Sequence, residues 1–405
     1  MSKEKLIPEF RFPEFKDSGE WDVKTLGEVL IKNSKKNKNQ KYSQVESVSN
    51  KFGFIKQDEY FKNRRVASKD TSNYYVIKKG YFAYNPSRID VGSLAYKHND
   101  EISIISPLYV SFKANNELIN DYFLLSFFNS VTFTKQMIFE GGVRNTLNYD
   151  NLIQSKIPIP TIQEQQRIAS CLSSLDEVIE AHSKKLELLK DHKKGLLQNL
   201  FPQEGETVPK VRFPEFEEDG EWVERKLGEV FNTFSGGTPK STEKKYYGGS
   251  TPFIRSAEIA KNSTELFLTD EGLKNSSAKL VKKGDLLIAL YGANSGDVAI
   301  SKIDGAINQA ILCLRSDFSN EFVSHYFFLK KDWITRRYLQ GGQGNLSGQI
   351  VKSIELYFPK QEEQQKIASC LSVVDELITA QKEKIEQLQQ HKKGLMQGLF
   401  PKIES

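Results

Sequence analysis

Apolar residues recur at alternating steps of four and three in two stretches of the chain. The first seam runs Ile168, Leu172, Leu175, Ile179, His182, Leu186, Leu189, Lys193, Leu196 and Leu200. The second runs Ile367, Leu371, Val374, Ile378, Gln381, Ile385, Leu388, Lys392, Leu395 and Leu399. A period of 3.5 held over five heptads predicts two long coiled-coil helices. Thr161 followed by Glu164 reads as a capping box at the first start, whereas Lys360 stands at the matching place before the second, just after Pro359. Pro202 and Pro401 supply the stops. Polar residues interrupt both seams at the same two places, His182/Gln381 and Lys193/Lys392, which suggests that they fix register. Cys171 and Cys370 flank the seams as packing residues. A helix of 38 residues is about 57 Å long. An antiparallel pair of that length predicts a rigid spacer with one body at each end.

Outside these seams the pattern is shorter and mixed. Residues 74–77 and 285–290 read as strands bounded by glycine. Residues 120–136 and 321–339 read as amphipathic helices that end before the double glycines Gly141-Gly142 and Gly341-Gly342. The predicted class is α+β.

The chain is written twice. Arg11-Phe12-Pro13-Glu14-Phe15 returns as Arg212-Phe213-Pro214-Glu215-Phe216, and Leu26-Gly27-Glu28-Val29 as Leu227-Gly228-Glu229-Val230, both at an offset of 201. Residues 165–202 align without gaps to 364–401 with 24 identities. Between these ends little aligns beyond Lys78-Lys79-Gly80 with Lys282-Lys283-Gly284 and the two double glycines. The expected organisation is a first body at 1–160, a helix at 161–202, a linker at 203–210, a second body at 211–358 and a second helix at 359–405. A pseudo-two-fold arrangement of the copies predicts that Leu399-Phe400-Pro401 lies near the N-terminal segment.

Composition narrows the class. The chain has 405 residues, 38% hydrophobic, with 26 Phe and 16 Tyr, enough for buried cores. No apolar stretch approaches the ~20 residues of a membrane span, and the first twenty residues hold no signal-like apolar run, so a cytoplasmic location is expected. Three cysteines make no disulfide framework and match no zinc spacing. The net charge is +5, but residues 32–97 carry 15 Lys or Arg against 5 Asp or Glu, and residues 232–340 carry 15 against 11. An anionic partner, nucleic acid first, fits that distribution.

The tandem body-plus-helix plan resembles the specificity (S) subunits of type I restriction-modification systems. The phrases that carry the likeness are Ser235-Gly236-Gly237-Thr238-Pro239-Lys240, Pro252-Phe253-Ile254-Arg255, Lys283-Gly284-Asp285-Leu286-Leu287, Asn308-Gln309-Ala310 and the Leu-Phe-Pro helix ends. The first body departs from them, with Ser34-Lys35-Lys36-Asn37-Lys38 where the Gly-Gly-Thr-Pro phrase falls. The resemblance implies two target recognition domains, each reading half of a split, asymmetric duplex DNA site. It implies paired helices that set the gap and bind two methyltransferase subunits, with restriction subunits joining the full complex. It also implies no chemistry in this chain, and S-adenosylmethionine, ATP and Mg on the partners.

Side-chain chemistry nominates the contacts. Lys35, Lys36, Lys38, Arg64, Arg65 and Lys240 suit phosphates. Tyr84, Asn85, Arg88, Arg144, Asn145, Arg255, Tyr291, Asn294, Gln343 and Asn345 carry donors suited to base edges. Gly236-Gly237 and Gly341-Gly342 would let backbone approach phosphate closely, although a plain turn accounts for them equally well, and Gly237 and Thr238 of the Gly-Gly-Thr-Pro phrase join the candidate DNA contacts. Enzyme readings find little support. Asn85-Pro86-Ser87-Arg88 lacks the second proline and aromatic of an amino-methyltransferase motif, and Pro239 precedes Lys240 where a phosphate-binding loop needs glycine. A coiled-coil adaptor that clamps two proteins accounts for the helices but not for the basic stretch.

Overall fold

The computed structural model describes residues 6–50, 52–60, 68–137, 146–338 and 345–401. It divides into two compact units. Unit 1 is Met1–Ser183 with Lys384–Ser405, and unit 2 is Lys184–Glu383. Each long helix, Ile162–Leu200 and Gln361–Leu399, begins in the unit of its own body and ends in the other.

Unit 1 contains β1 (Asp22–Thr25), β2 (Leu30–Lys32), β3 (Val45–Ser49), β4 (Gly53–Lys56), β5 (Tyr75–Ile77), β6 (Tyr81–Tyr84), β7 (Leu94–Tyr96), β8 (Ser103–Ile105), β9 (Val110–Ala114) and β10 (Lys156–Ile159). They form a β1-β10 ribbon and two four-stranded sheets, β2-β9-β6-β7 and β4-β3-β8-β5. Unit 2 contains β11 (Val223–Lys226), β12 (Asn232–Ser235), β13 (Tyr247–Ile254), β14 (Phe267–Leu268), β15 (Lys279–Val281), β16 (Leu286–Ala289), β17 (Val298–Ile300), β18 (Gly305–Ile307), β19 (Ile311–Arg315) and β20 (Glu355–Phe358). Its sheets are β11-β20, β12-β19-β16-β17 and β14-β13-β18-β15. Adding ten to each strand number of unit 1 reproduces unit 2. The correspondence includes a parallel pairing in each, β3 with β8 and β13 with β18. The Lys-Lys-Gly phrases fall in equivalent turns before β6 and β16, where Gly80 and Gly284 take φ of 86° and 95°. A side chain disfavours that left-handed conformation, so both turns call for glycine.

Each unit closes its main core with a segment from the other copy's helix end. In unit 1, Trp21, Phe123 and Phe400 meet with ring centroids 5.2–6.3 Å apart. In unit 2 the same roles fall to Trp222, Phe322 and Phe201, at 5.1–6.2 Å. All six rings are buried, so each contributes the few kcal/mol expected of a fully desolvated aromatic side chain. The C-terminal segment does meet the N-terminal one. Phe10 N–H donates to Gly398 O at 2.8 Å.

The helix pairing inside each unit is antiparallel. In unit 1 Ile168 and Leu172 share a core with Leu399 and Phe400, while Asp176 accepts from Lys392 at 2.5 Å. In unit 2 Ile367 and Leu371 pack with Leu197 and Leu200, and Asp375 accepts from Lys193 at 2.6 and 2.7 Å. The two seam lysines therefore reach aspartates at matched places on the facing helix.

Two expectations change in detail. Thr161 caps its helix, accepting from Glu164 N–H at 3.4 Å, but the Glu164 carboxylate does not return to the cap. It is buried and holds the Arg11 guanidinium through two 2.8 Å bonds, with Trp21 Nε1 donating at 3.3 Å. Arg212 and Glu363 repeat that pair in unit 2 at 2.8 and 2.7 Å. The helix expected over 120–136 is two, Asp121–Phe128 and Val131–Thr134. Ser130 breaks it by capping the second piece, its hydroxyl accepting from Phe133 N–H at 3.2 Å. In unit 2 the matching helix runs unbroken, Asn320–Tyr338.

Candidate nucleic-acid interface

Strand direction gathers the nominated residues. In unit 1, β2 and β6 both pair antiparallel with β9, so they run the same way. Lys32 lies opposite Phe112 and Tyr84 opposite Val110, so both strands end where β9 begins. The β2–β3 and β6–β7 loops therefore leave one edge of one sheet. Unit 2 repeats this, with Ser235 opposite Leu312 and Ala289 opposite Ile311. That edge carries residues 236–246, 290–297 and the short turn 308–310.

In unit 1 the edge is cationic and braced. Asn33 is buried and donates to Val76 O and Ser111 Oγ, while its own oxygen receives Lys35 N–H at 3.0 Å. Asn37 holds the far side of the loop through Tyr42 N–H and O. Between these anchors Lys35 and Lys38 stand exposed, and Lys36 lies over the Tyr75 ring at 3.1 Å. Lys32, not nominated from sequence, lies 4.7 Å from the Tyr149 ring centre. In the β6–β7 loop, Asn85 folds onto Ser87 N–H at 3.1 Å, leaving Arg88 exposed.

In unit 2 the edge is more neutral and is held by amides. Thr238 donates to Gln309 Oε1 at 2.6 Å and links the first loop to the 308–310 turn. Lys240 is exposed beyond Pro239, whose carbonyl accepts from Tyr247. Asn345 accepts from Gly292 N–H at 3.1 Å, and Ser295 joins Leu290 O to Leu346 N–H. Tyr291 and Asn294 thus sit on a loop tied to the segment that carries Asn345. Gln309, which accepts from Thr238, was not nominated from sequence, although it lies in the Asn-Gln-Ala phrase.

Three nominations change. Tyr84 is fully buried, and its hydroxyl donates to Leu147 O at 3.0 Å. Burial pushes that phenol well above its ordinary pKa, so it is a neutral core group with no face for a base. Gly237 is buried where a Cβ would come within 2.6 Å of the Ser277 side chain, and at Gly236 a Cβ would come within 1.7 Å of Ile307 O. Close backbone packing, not approach to phosphate, is therefore what requires the double glycine. Arg255 is committed to Glu258 at 3.0 Å and Glu265 at 2.6 Å. Bonds to those carboxylates raise its already high pKa, so Nε and Nη2 tie a turn together and only Nη1 is left to donate elsewhere. Arg64, Arg65, Arg144, Asn145, Gln343 and the double glycines at 141–142 and 341–342 lie outside the described residues.

Among the described residues no cluster of His, Cys, Asp and Glu could hold a metal, and no helix is long and apolar enough to cross a membrane. Cys313 is buried, which pushes its thiol up to about 12 and leaves it un-ionised.

Comparison with known proteins agrees with this picture. The family described as the type I restriction modification DNA specificity domain matches twice, over residues 18–191 and 219–390. The chain is 27% identical over 410 aligned positions to a protein of Methanocaldococcus jannaschii assigned as the type I restriction enzyme MjaX specificity subunit, covering 94% of this chain and 93% of the relative. The MjaVIII specificity subunit of the same organism is also 27% identical, over 73% of each chain. Among solved structures, the type I restriction-modification S subunit from M. genitalium superposes with a TM-score of 0.63 at 15% identity, over 98% of this chain and all of that one. With two matched domains that span most of its length, the chain belongs to the type I restriction-modification DNA specificity family.

Proposed function

We propose that this chain is the sequence-reading subunit of a type I restriction-modification complex and performs no chemistry itself. Each unit reads one half of a bipartite, asymmetric duplex site with the loops on the edge where β2 and β6, or β12 and β16, end. In unit 1 the edge lysines supply phosphate contacts and Arg88 a base-edge contact; in unit 2 Lys240 supplies a phosphate contact, and the planar amides and Tyr291 supply base-edge contacts. The long helices carry two methyltransferase subunits, and restriction subunits join that assembly. S-adenosylmethionine, ATP and Mg belong to those partners.

The observation that carries this reading is the pairing of one loop-bearing edge, built twice on identical strand topology, with different exposed side chains on each copy. An adaptor that clamps two proteins has no use for a braced loop bearing Lys35, Lys36 and Lys38. The test inserts one heptad into each long helix and maps methylated sites in a host genome. Seven residues add about 10 Å of helix, or about three base pairs. The expected result is a wider gap between unchanged half-sites. An unchanged gap sinks the spacer role, and the absence of any sequence preference in the unmodified complex sinks the reading itself.

A further inference from the structure

Among the described residues the unbroken helix Asn320–Tyr338 has no counterpart of its length in the body of unit 1, and its position gives the extra length a use. Its start is fixed at the far end of β16, where Asn320 Nδ2 donates to Gly284 O at 2.9 Å. Eleven residues later Lys331 forms an ion pair with Asp297, at the loop-bearing edge. Eleven helical residues span about 16 Å, and the five steps of strand from Gly284 to Ala289 span nearly the same distance. Ala289 is itself level with Asp297, its N–H donating to Asp297 O at 2.8 Å. The helix thus reaches the edge at Lys331, and residues 332–338 run about 10 Å further.

This overhang is anchored. Ile334 is 3% exposed and belongs to the same core as Leu290 and Leu346, which flank the reading loop and the Asn345 segment. The last turn carries Arg336 and Arg337, both exposed, with Arg337 over the Trp333 ring at 5.2 Å. Arg336 Nε bonds to Asp332 O at 3.3 Å, and among the described residues its guanidinium has no carboxylate within ion-pair distance. An exposed arginine held rigidly beside loops that read bases suits a phosphate flanking the half-site.

We infer that residues 332–338 form a phosphate-binding arm of the second recognition domain, with Arg336 as its contact and the Lys331–Asp297 pair and Ile334 holding it at the edge. The inference rests on the DNA-reading function proposed above and assigns unit 2 a contact for which the described residues of the shorter helices in unit 1 offer no equivalent. A cation in a last helical turn also complements the helix dipole, and the test separates the two roles.

The full chain, assembled with its methyltransferase subunits, is titrated with a duplex that carries its methylated sequence, over a range of salt concentrations. Each phosphate contact contributes about 0.9 to the slope of log affinity against log salt. Arg336→Gln is expected to lower that slope by about one while the preferred sequence stays the same. Arg336→Lys is expected to keep the slope, and Lys302→Gln, an exposed lysine after the other end of β17, to leave it unchanged. If Arg336→Gln changes only the melting temperature, or changes the slope no more than Lys302→Gln does, the arm is overturned while the reading function stands. If the unmodified complex shows no sequence preference, the underlying reading fails instead.

Discussion

The two bodies share every strand and almost none of the residues between the repeated ends. Unit 1 braces its first loop with buried Asn33 and Asn37 and leaves lysines outside; unit 2 presses Gly236 and Gly237 against Ile307 and Ser277 in the same place. Unit 1 buries a Glu46–Lys97 pair, with Ser103 completing the carboxylate's bonds, whereas unit 2 has Ile254 and Ser301 at the topologically matching places. Unit 1 breaks its body helix at Ser130; unit 2 extends it past the sheet. Topology tolerates this turnover because each sheet needs only apolar groups of suitable size facing inward, while exposed loops are free to change chemistry. What stays the same is what joins body to helix, the Trp-Phe-Phe cluster and the Arg–Glu pair, and what joins helix to helix, the Lys–Asp pair.

The sharpest way to break that symmetry is to remove a plug from one unit. Phe400→Ala empties the centre of the unit 1 core, although residue 400 lies at the end of the second helix. Such a truncation costs about 3–5 kcal/mol. Hydrogen exchange followed by mass spectrometry should show faster exchange in residues 6–183 and little change in 210–360. Phe201→Ala should produce the reciprocal map, because Phe201 fills the unit 2 core. Equal losses in both bodies from either variant would refute the exchange of core residues between the copies.

A second comparison concerns the loop that differs most. A Cβ at Gly236 would sit 1.7 Å from Ile307 O, a backbone atom that cannot rotate away. Gly236→Ala should therefore destabilise unit 2 by about 3 kcal/mol, the upper range of overpacking. Ser34→Ala, in the corresponding loop of unit 1, alters an exposed side chain and should change stability by under about 0.5 kcal/mol. Thermal melting of both variants checks the contrast, and a neutral Gly236→Ala would mean that the loop can stand off from β18.

These differences also mark how far the sequence could be read. The seams were legible because little besides a coiled coil holds a 3.5-residue apolar period over five heptads, and the exchange of Leu-Phe-Pro ends followed from repeat symmetry. The shared strand order was not, because Ile254 and Glu46 occupy matched strand positions with opposite chemistry. Tyr84 looked like a reader because its hydroxyl can bond a base edge; its place in the run Tyr81-Phe82-Ala83-Tyr84 was equally a sign of burial. The Arg11–Glu164 pair spans 153 residues, and no local pattern announces such a contact. The broken helix over 120–136 was misjudged because apolar spacing continues through Asn129 and Ser130, while the Ser130 cap acts locally and wins.

The finest contrast is one of protonation. His325 in unit 2 is buried beside Lys193 and Asp375, at the helix position that Ser126 fills in unit 1. Burial first, and then the Lys193 ammonium, push the imidazole down to about 4 against the partial opposition of Asp375. A histidine with a depressed folded pKa binds its proton more readily when unfolded. Its stabilising contribution is therefore complete above the unfolded value of about 6.5 and is lost progressively as pH falls from there towards about 4. The full shift corresponds to about 3 kcal/mol. Exchange protection of unit 2 should fall between pH 6.5 and 4.5 by that amount relative to His325→Gln, a variant that does not titrate there. Unit 1 has its own partly buried histidine, His98, whose pKa is lowered by burial but supported by Asp176 and Glu180, so its loss over the same range should be smaller. If both units lose protection in parallel, and His325→Gln does not separate them, the carboxylates they share, rather than this histidine, govern the acid sensitivity of the second domain.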